Sequence, residues 1–278
     1  MSTKNPRYGT VDREYGMKLT TTPPDKDGPV WMVNLMKYRE VAEYTDGRQS
    51  TVSGQEADEL YSPLKSLAAV GAEVVFFGDV DQQLAGDGTE WDRIAVVKYP
   101  TRQSFIAMQS RPEFKESHQH KDAGMERTFV IGCQPLDAPA DPSGDSPVDW
   151  ADVAHPPTDT DGPVVVMHVL RFHDVDGASA SPEHTPEHMA EYQTAAAKVA
   201  VKHGVRINGW FAAEGTIVGD GRSWHQVRFN EFPSKAAFMA VLFDPDRLAA
   251  QKDHRAVAIA DTYTMIVRAS INRLAKSV

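Results

Sequence analysis

The stretch DGPVVVMHVLRF, Asp161 to Phe172, decides how this chain is organised, because it occurs twice. Asp27 to Tyr38 reads DGPVWMVNLMKY, 134 positions earlier, with the same Asp-Gly-Pro-Val opening. In each copy a Gly-Pro turn leads into a run of apolar residues, the way a buried strand begins. Further out, the match continues at an offset of 133: Gly86-Asp87-Gly88 falls on Gly219-Asp220-Gly221, Trp91 on Trp224, Pro100 on Pro233, Phe105 on Phe238 and Pro112 on Pro245. Self-similarity at equivalent points marks an internal repeat.

Each copy predicts the same succession of elements. In the first, a strand at 30–38 is followed by a helix opened by Ser53, with Glu56 three residues on as a capping box, and closed at Gly71. Strands at 73–78 and 91–99 flank the Gly-Asp-Gly turn. A helix starting at Pro100-Thr101 breaks at Arg111-Pro112, and a strand covers 128–133. In the second, strands are expected at 164–172, 206–212, 224–232 and 262–268, with helices at 182–201 and from Pro233 onward, broken at Asp244-Pro245. The order β-α-β-β-α-β is that of a ferredoxin-like unit. The chain thus divides into an irregular, polar N-terminal arm (1–26), a first domain (27–134), a linker (135–160) and a second domain (161–278). The linker carries six prolines and many aspartates, which suit an extended connector rather than a packed core. The arm holds Tyr8 and Tyr15 but few apolar anchors, so disorder is expected there ahead of docking against a pocket.

Bulk properties narrow the function classes. The chain has 278 residues, 41% of them hydrophobic, enough for a core in each half. A formal net charge of −10 argues against nucleic acid or an anionic membrane surface as a partner. The single cysteine, Cys133, fits a reducing compartment. No apolar run approaches the ~20 residues that span a bilayer, and the N-terminus lacks an apolar signal core. The expectation is a cytoplasmic protein. There is no glycine-rich phosphate loop and no Gly-x-Ser-x-Gly elbow.

Both halves resemble the domain-of-unknown-function 1330 family of the dimeric α+β barrel superfamily. The resemblance rests on VNLMKY, SGQEADELY, EWDRIAVVKYP and FIAMQSRPEF in the first half, and is looser in the second. It implies an α+β fold in which two tandem ferredoxin-like units pack their open sheet faces together as an internal barrel. It implies no single activity, since the superfamily includes cofactor-free and haem-dependent oxygenases, isomerases, polyketide cyclases and binding proteins.

The candidate site follows from period-two alternation. Val227 and Phe229 share one strand face and are expected against the helices. Trp224, Gln226, Arg228 and Asn230 share the other and are expected inside the barrel, where His168 joins them from strand one. At the first-half positions stand Asn34 for His168 and Trp91, Arg93, Ala95 and Val97 on the corresponding strand, a less polar set. One pocket in the second half is therefore expected, with His168 as general base and Arg228 holding a carboxylate or an enolate-like oxygen. Asn34, Gln226, Trp224, Trp210 and Arg171 would line it. The plainer reading makes His168 a hydrogen-bonded core residue. The superfamily resemblance implies a site histidine in strand one, as in its polyketide cyclases. The Tyr and His that one such cyclase places near the second helix break are replaced here by Val241 and Arg247.

Other histidines carry weaker patterns. His184 and His188 are four apart beside Glu183 and Glu187, but Pro186 between them suits a solvated helix start better than a metal site, so no metal is assigned. His118 and His120 are expected at the surface, with one of them within reach of a barrel mouth as a haem ligand. The leading expectation is a cofactor-independent enzyme acting by proton transfer on a small, partly hydrophobic, oxygenated molecule. A non-catalytic binding or assembly module and a haem or metal oxygenase are the alternatives. Exposed sheet edges leave room for a homodimer.

Overall fold

The computed structural model describes residues 5–138, 148–174 and 179–278. Three of the linker's six prolines, Pro139, Pro142 and Pro147, lie in the segment 139–147, outside that description. Residues 148–163 of the connector run as turns and bends.

The arm is more regular than its composition predicts. Thr10–Val11 forms a short strand (β1) and Arg13–Thr21 a helix (α1) capped by the Asp12 carboxylate. Tyr15 anchors that helix. Its side chain lies over Gly132 and Gly215, where a Cβ would sit 1.8 Å from the hydroxyl and 2.5 Å from the ring. These two glycines supply the space that apolar anchors elsewhere in the arm do not.

The first unit then follows as β2 (Val30–Tyr38), α2 (Gly54–Tyr61), α3 (Leu64–Ala68), β3 (Glu73–Ala85), β4 (Arg93–Tyr99), α4 (Arg102–Ser110), α5 (Pro112–Gly124) and β5 (Met125–Leu136). The capping box at Ser53 and Glu56 is present. The single helix expected up to Gly71 is two, because Pro63 cannot continue α2 and Ser62 turns to φ +23°. The second unit comprises β6 (Val164–Phe172), α6 (Glu187–Ala200), β7 (Arg206–Gly219), β8 (Gln226–Phe232), α7 (Lys235–Leu242), α8 (Pro245–Ala250), a π-helical segment (Gln251–Arg255), α9 (Ala256–Ala258), β9 (Ile259–Asn272) and α10 (Leu274–Ser277). Gly88 and Gly221 take φ +88° and +91° at equivalent turns, which only glycine adopts without strain.

The strand order is β5-β2-β4-β3 in the first unit and β9-β6-β8-β7 in the second, the same ferredoxin-like sheet twice. β3 pairs with β9 and β5 with β7, so the two sheets close into one antiparallel barrel of eight strands. Each of the eight is paired on both sides, and β1 extends β7. Closure consumes the sheet edges expected to be free for a second copy.

The barrel interior is filled. Trp31, Val33, Leu35, Phe76, Ile94, Val96 and Phe129 of the first unit interleave with Val165, Met167, Val169, Phe211, Val227, Phe229 and Met265 of the second. Phe76 meets Phe229 at 5.2 Å between ring centroids, and Trp91, Phe129, Trp224 and Tyr263 pack together at one end. This corrects the expected orientation of the sheets. Val227 and Phe229 point into the barrel, and Gln226, Arg228 and His168 point outward to the helices. Separate apolar layers lie between each sheet and its own helices.

Candidate active site

The space that stays open lies outside the barrel, between the first unit's sheet and its helices. Register aligns Phe77, Ala95, Asn34 and Val130 in one row across β3, β4, β2 and β5. In the second unit the equivalent row is Trp210, Arg228, His168 and Thr264 across β7, β8, β6 and β9. The small residues of the first row floor a cavity of about 860 Å³. The large polar residues of the second fill the corresponding place.

Apolar residues make most of the cavity wall: Met32 and Met36 from β2, Val97 and Tyr99 from β4, and Phe105, Met108 and Phe114 from α4 and α5. Exposed lining residues Asn5, Glu59, Leu64 and Lys115 mark a mouth between the arm, the α2–α3 corner and the start of α5. Into this apolar space project several titratable groups. Tyr8 from the arm and His118 from α5 meet with Oη and Nε2 3.1 Å apart. His118 is wedged against the rings of Tyr61 and Phe114, and its Nδ1 is buried without a partner. Burial, reinforced by the neighbouring Lys121 charge, pushes the imidazole pKa down to about 4, so it is neutral near pH 7. Burial, then Asp122, pushes the Tyr8 phenol up.

Asp58 of α2 accepts a hydrogen bond from Tyr38 Oη at 2.7 Å. Burial raises its carboxyl above the usual range, against the opposing pull of Tyr38 and Lys121. Lys121 is lowered by burial, with Asp58 opposing the shift. Arg93 lies under Phe77, 4.8 Å from its ring, and donates to Asp79 at 2.6 Å. Asn34 is tied to the backbone, donating from Nδ2 to Met32 O at 3.0 Å. The cavity therefore combines an apolar wall with a carboxyl, an amine and an imidazole whose charged forms are weakened by burial, the usual mark of a reactive site.

The expected second-half residues are partly brought together, on the helix side of the sheet rather than inside the barrel. His168 Nδ1 lies 3.1 Å from Thr264 Oγ1. Arg228 donates from Nε to Gln226 Oε1 at 3.0 Å and to Thr185 Oγ1 at 3.2 Å, and sits 4.2 Å from the Trp210 ring centroid. With its amide turned to satisfy both neighbours, Gln193 Oε1 accepts from Arg228 at 2.9 Å. No carboxylate pairs with Arg228 among the described residues. Burial, then Arg255, brings its pKa down to about 9. Burial, then Arg255 and Arg228, drives His168 well below the ordinary histidine value, which makes it a poor base. Trp224 is on the other side of the sheet, in the barrel core. Asn34 belongs to the first-half cavity, and Arg171 is exposed at the end of β6.

Sequence reasoning missed Asp58, Lys121 and the role of His118, and ranked docking of Tyr8 against a pocket below disorder of the arm. His118 is not a surface residue, whereas His120 is turned to Tyr44 Oη at 2.7 Å. The available signals were the arm's tyrosine and the small Ala95 opposite Arg228 in the repeat. His118 does not suit haem, since Tyr8 engages its Nε2 and ring packing encloses its Nδ1.

No family profile matches the chain, and no curated protein is similar to it. Among solved structures, a protein of unknown function from Rhodopseudomonas palustris is 26% identical over 47% of this chain and 98% of its own, with a TM-score of 0.41. An anthrone oxidase-like protein covers 91% of this chain and 98% of its own at 13% identity and a TM-score of 0.49. Chlorite dismutase from Candidatus Nitrospira defluvii covers 94% and 97% at 11% identity and 0.47. Among the described residues, no helix is long and apolar enough to cross a membrane.

Proposed function

We propose that this protein is a cofactor-independent small-molecule enzyme that moves a proton on a partly hydrophobic, oxygenated substrate held in the first-unit cavity. The observation that carries the reading is the coexistence, in one apolar space, of a carboxyl raised by burial and a lysine lowered by it. Asp58, held by Tyr38, is the base: a raised pKa brings its proton affinity nearer that of a carbon acid next to a carbonyl. It takes that proton, and the electron pair passes to the carbonyl oxygen. Lys121 and the Tyr8 hydroxyl stabilise that oxygen as it gains charge, and Arg93 adds positive potential on the sheet side. Returning the proton to another carbon gives isomerisation, and attack of the carbanion on an internal carbonyl gives cyclisation. The motifs quoted above support placing each half near the domain-of-unknown-function 1330 family, which by itself favours no reaction.

The test is hydrogen–deuterium exchange at carbon in D2O, followed by NMR over a panel of small aryl and alkyl ketones and β-keto acids. The wild type should catalyse exchange for at least one compound class. Asp58→Asn should bind the same compound and lose about 10²–10⁴-fold in exchange rate. Tight binding with no exchange in the wild type would favour a non-catalytic binding protein. Undiminished exchange in Asp58→Asn would remove Asp58 as the base.

A further inference from the structure

We propose that a divalent transition-metal ion of the zinc class binds at the surface of the second unit, on His188, Glu191 and His254. This site is separate from the first-unit cavity and does not depend on the activity proposed there.

The three side chains come from two elements. His188 and Glu191 are i and i+3 on α6, so they share a helix face. His254 comes from the π-helical segment Gln251–Arg255. The wider π turn is uncommon, and such segments concentrate at functional sites. Here the segment sets His254 beside α6, while Arg255, next in the chain, turns its guanidinium to the Tyr192 ring at 5.9 Å.

The donor atoms lie close to one another. His188 Nδ1 and His254 Nδ1 are 3.4 Å apart. Glu191 Oε2 lies 3.3 Å from the first and 2.8 Å from the second. A tetrahedral ion with bonds of about 2.0–2.1 Å has ligand–ligand edges of roughly 3.3 Å, so two edges of this triangle match such a tetrahedron and the Glu191–His254 edge opens by about 0.5 Å on binding. Two imidazoles with one carboxylate suit zinc, cobalt or nickel rather than magnesium or calcium. Two of the three ligands are exposed, which leaves the remaining coordination position open to water or a ligand. The bound ion would clasp α6 to the π segment. The first unit has no counterpart: at the repeat position of His254 stands Lys121.

A competing account is that Glu191 merely shares a proton with the two imidazoles. Cobalt titration distinguishes them. Full-length protein, first stripped with a chelator, is titrated with Co2+ and read by its visible d–d absorption. Thermal midpoints are then measured with and without Zn2+. One equivalent of Co2+ should give a band that Zn2+ displaces, and Zn2+ should raise the midpoint. His188→Ala, His254→Ala and Glu191→Gln should each lose the band and the Zn2+ effect, while His184→Ala keeps both. Absence of a band at stoichiometric Co2+, or a band that survives His254→Ala, overturns the proposal. Failure of proton exchange in the cavity leaves it standing, since Asp58→Asn should take up Co2+ like the wild type.

Discussion

Tyr8 and His118 stand 110 positions apart in the chain, and their side chains meet at 3.1 Å inside the first-unit cavity. The contact ties the N-terminal arm to α5 across the cavity, so the arm forms part of the wall. Tyr8→Phe keeps the ring packing and removes the hydroxyl. The expected stability loss is about 1 kcal/mol, typical of one hydrogen bond. The proton-exchange rate should fall much further in kcat than KM changes, because the hydroxyl acts on charge that develops during reaction. A proportional rise in KM with unchanged kcat would show that Tyr8 only helps binding.

His118 makes stability depend on acidity. Its pKa is about 4 in the folded protein, against an ordinary value of about 6.5 when unfolded. Between these values the unfolded chain holds more protons. The contribution is therefore fully present above about pH 6.5 and is lost as the pH falls towards 4. The upper bound is roughly 3.5 kcal/mol at about 1.4 kcal/mol per pKa unit. Asp58, raised by burial, works in the opposite sense, gaining stability as it takes up its proton in the folded state. The informative quantity is thus a difference between variants. The stability of wild type relative to His118→Phe, read from urea midpoints between pH 4 and 7, should fall as the pH falls. Parallel curves would mean that His118 is not held neutral by its surroundings.

The cavity is set by what stands opposite in the repeat. Ala95 holds in the first unit the place that Arg228 holds in the second, beside Asn34 and His168 respectively. Ala95→Phe should fill the cavity floor. Compound binding should drop by at least tenfold, while the thermal midpoint stays within a few degrees of the wild type, since the new ring enters existing space. Unchanged binding would place the ligand elsewhere.

Much of the fold was legible because turns and strand starts are local. Gly-Asp-Gly, Trp91 and Trp224, and the Pro breaks recur at one spacing and fall at equivalent points in both units. Alternation correctly grouped His168, Gln226 and Arg228 on one face and Val227 with Phe229 on the other. It could not say which face lies inside. Both faces of each sheet are covered, one by the opposite sheet and one by helices, so neither shows the polar signature of solvent. The polar row was assigned to the barrel, whereas the barrel is packed with the apolar one. The site residues were harder still. Tyr8, Asp58 and His118 come from three distant segments and share no spacing. Lys121 reads as a solvated helix residue until the fold folds α5 over the cavity.

Two buried arginines should respond oppositely to removal. Arg102 is held by Asp27 at 3.3 Å and forms a paired contact with Glu214, both carboxylates almost wholly buried. Taking away the guanidinium strands them, so Arg102→Ala should cost about 3–5 kcal/mol. Arg228 has no carboxylate among the described residues and is held only by amides, a hydroxyl and the Trp210 ring. Replacing it by methionine relieves an uncompensated charge and keeps the bulk. Arg228→Met should therefore lie within about 1 kcal/mol of the wild type or above it. Chemical denaturation of the two variants at pH 7 makes the comparison. A large loss in Arg228→Met would show that the polar row stabilises the second unit through its hydrogen bonds. It would also mean that the plug opposite the cavity is held by more than packing.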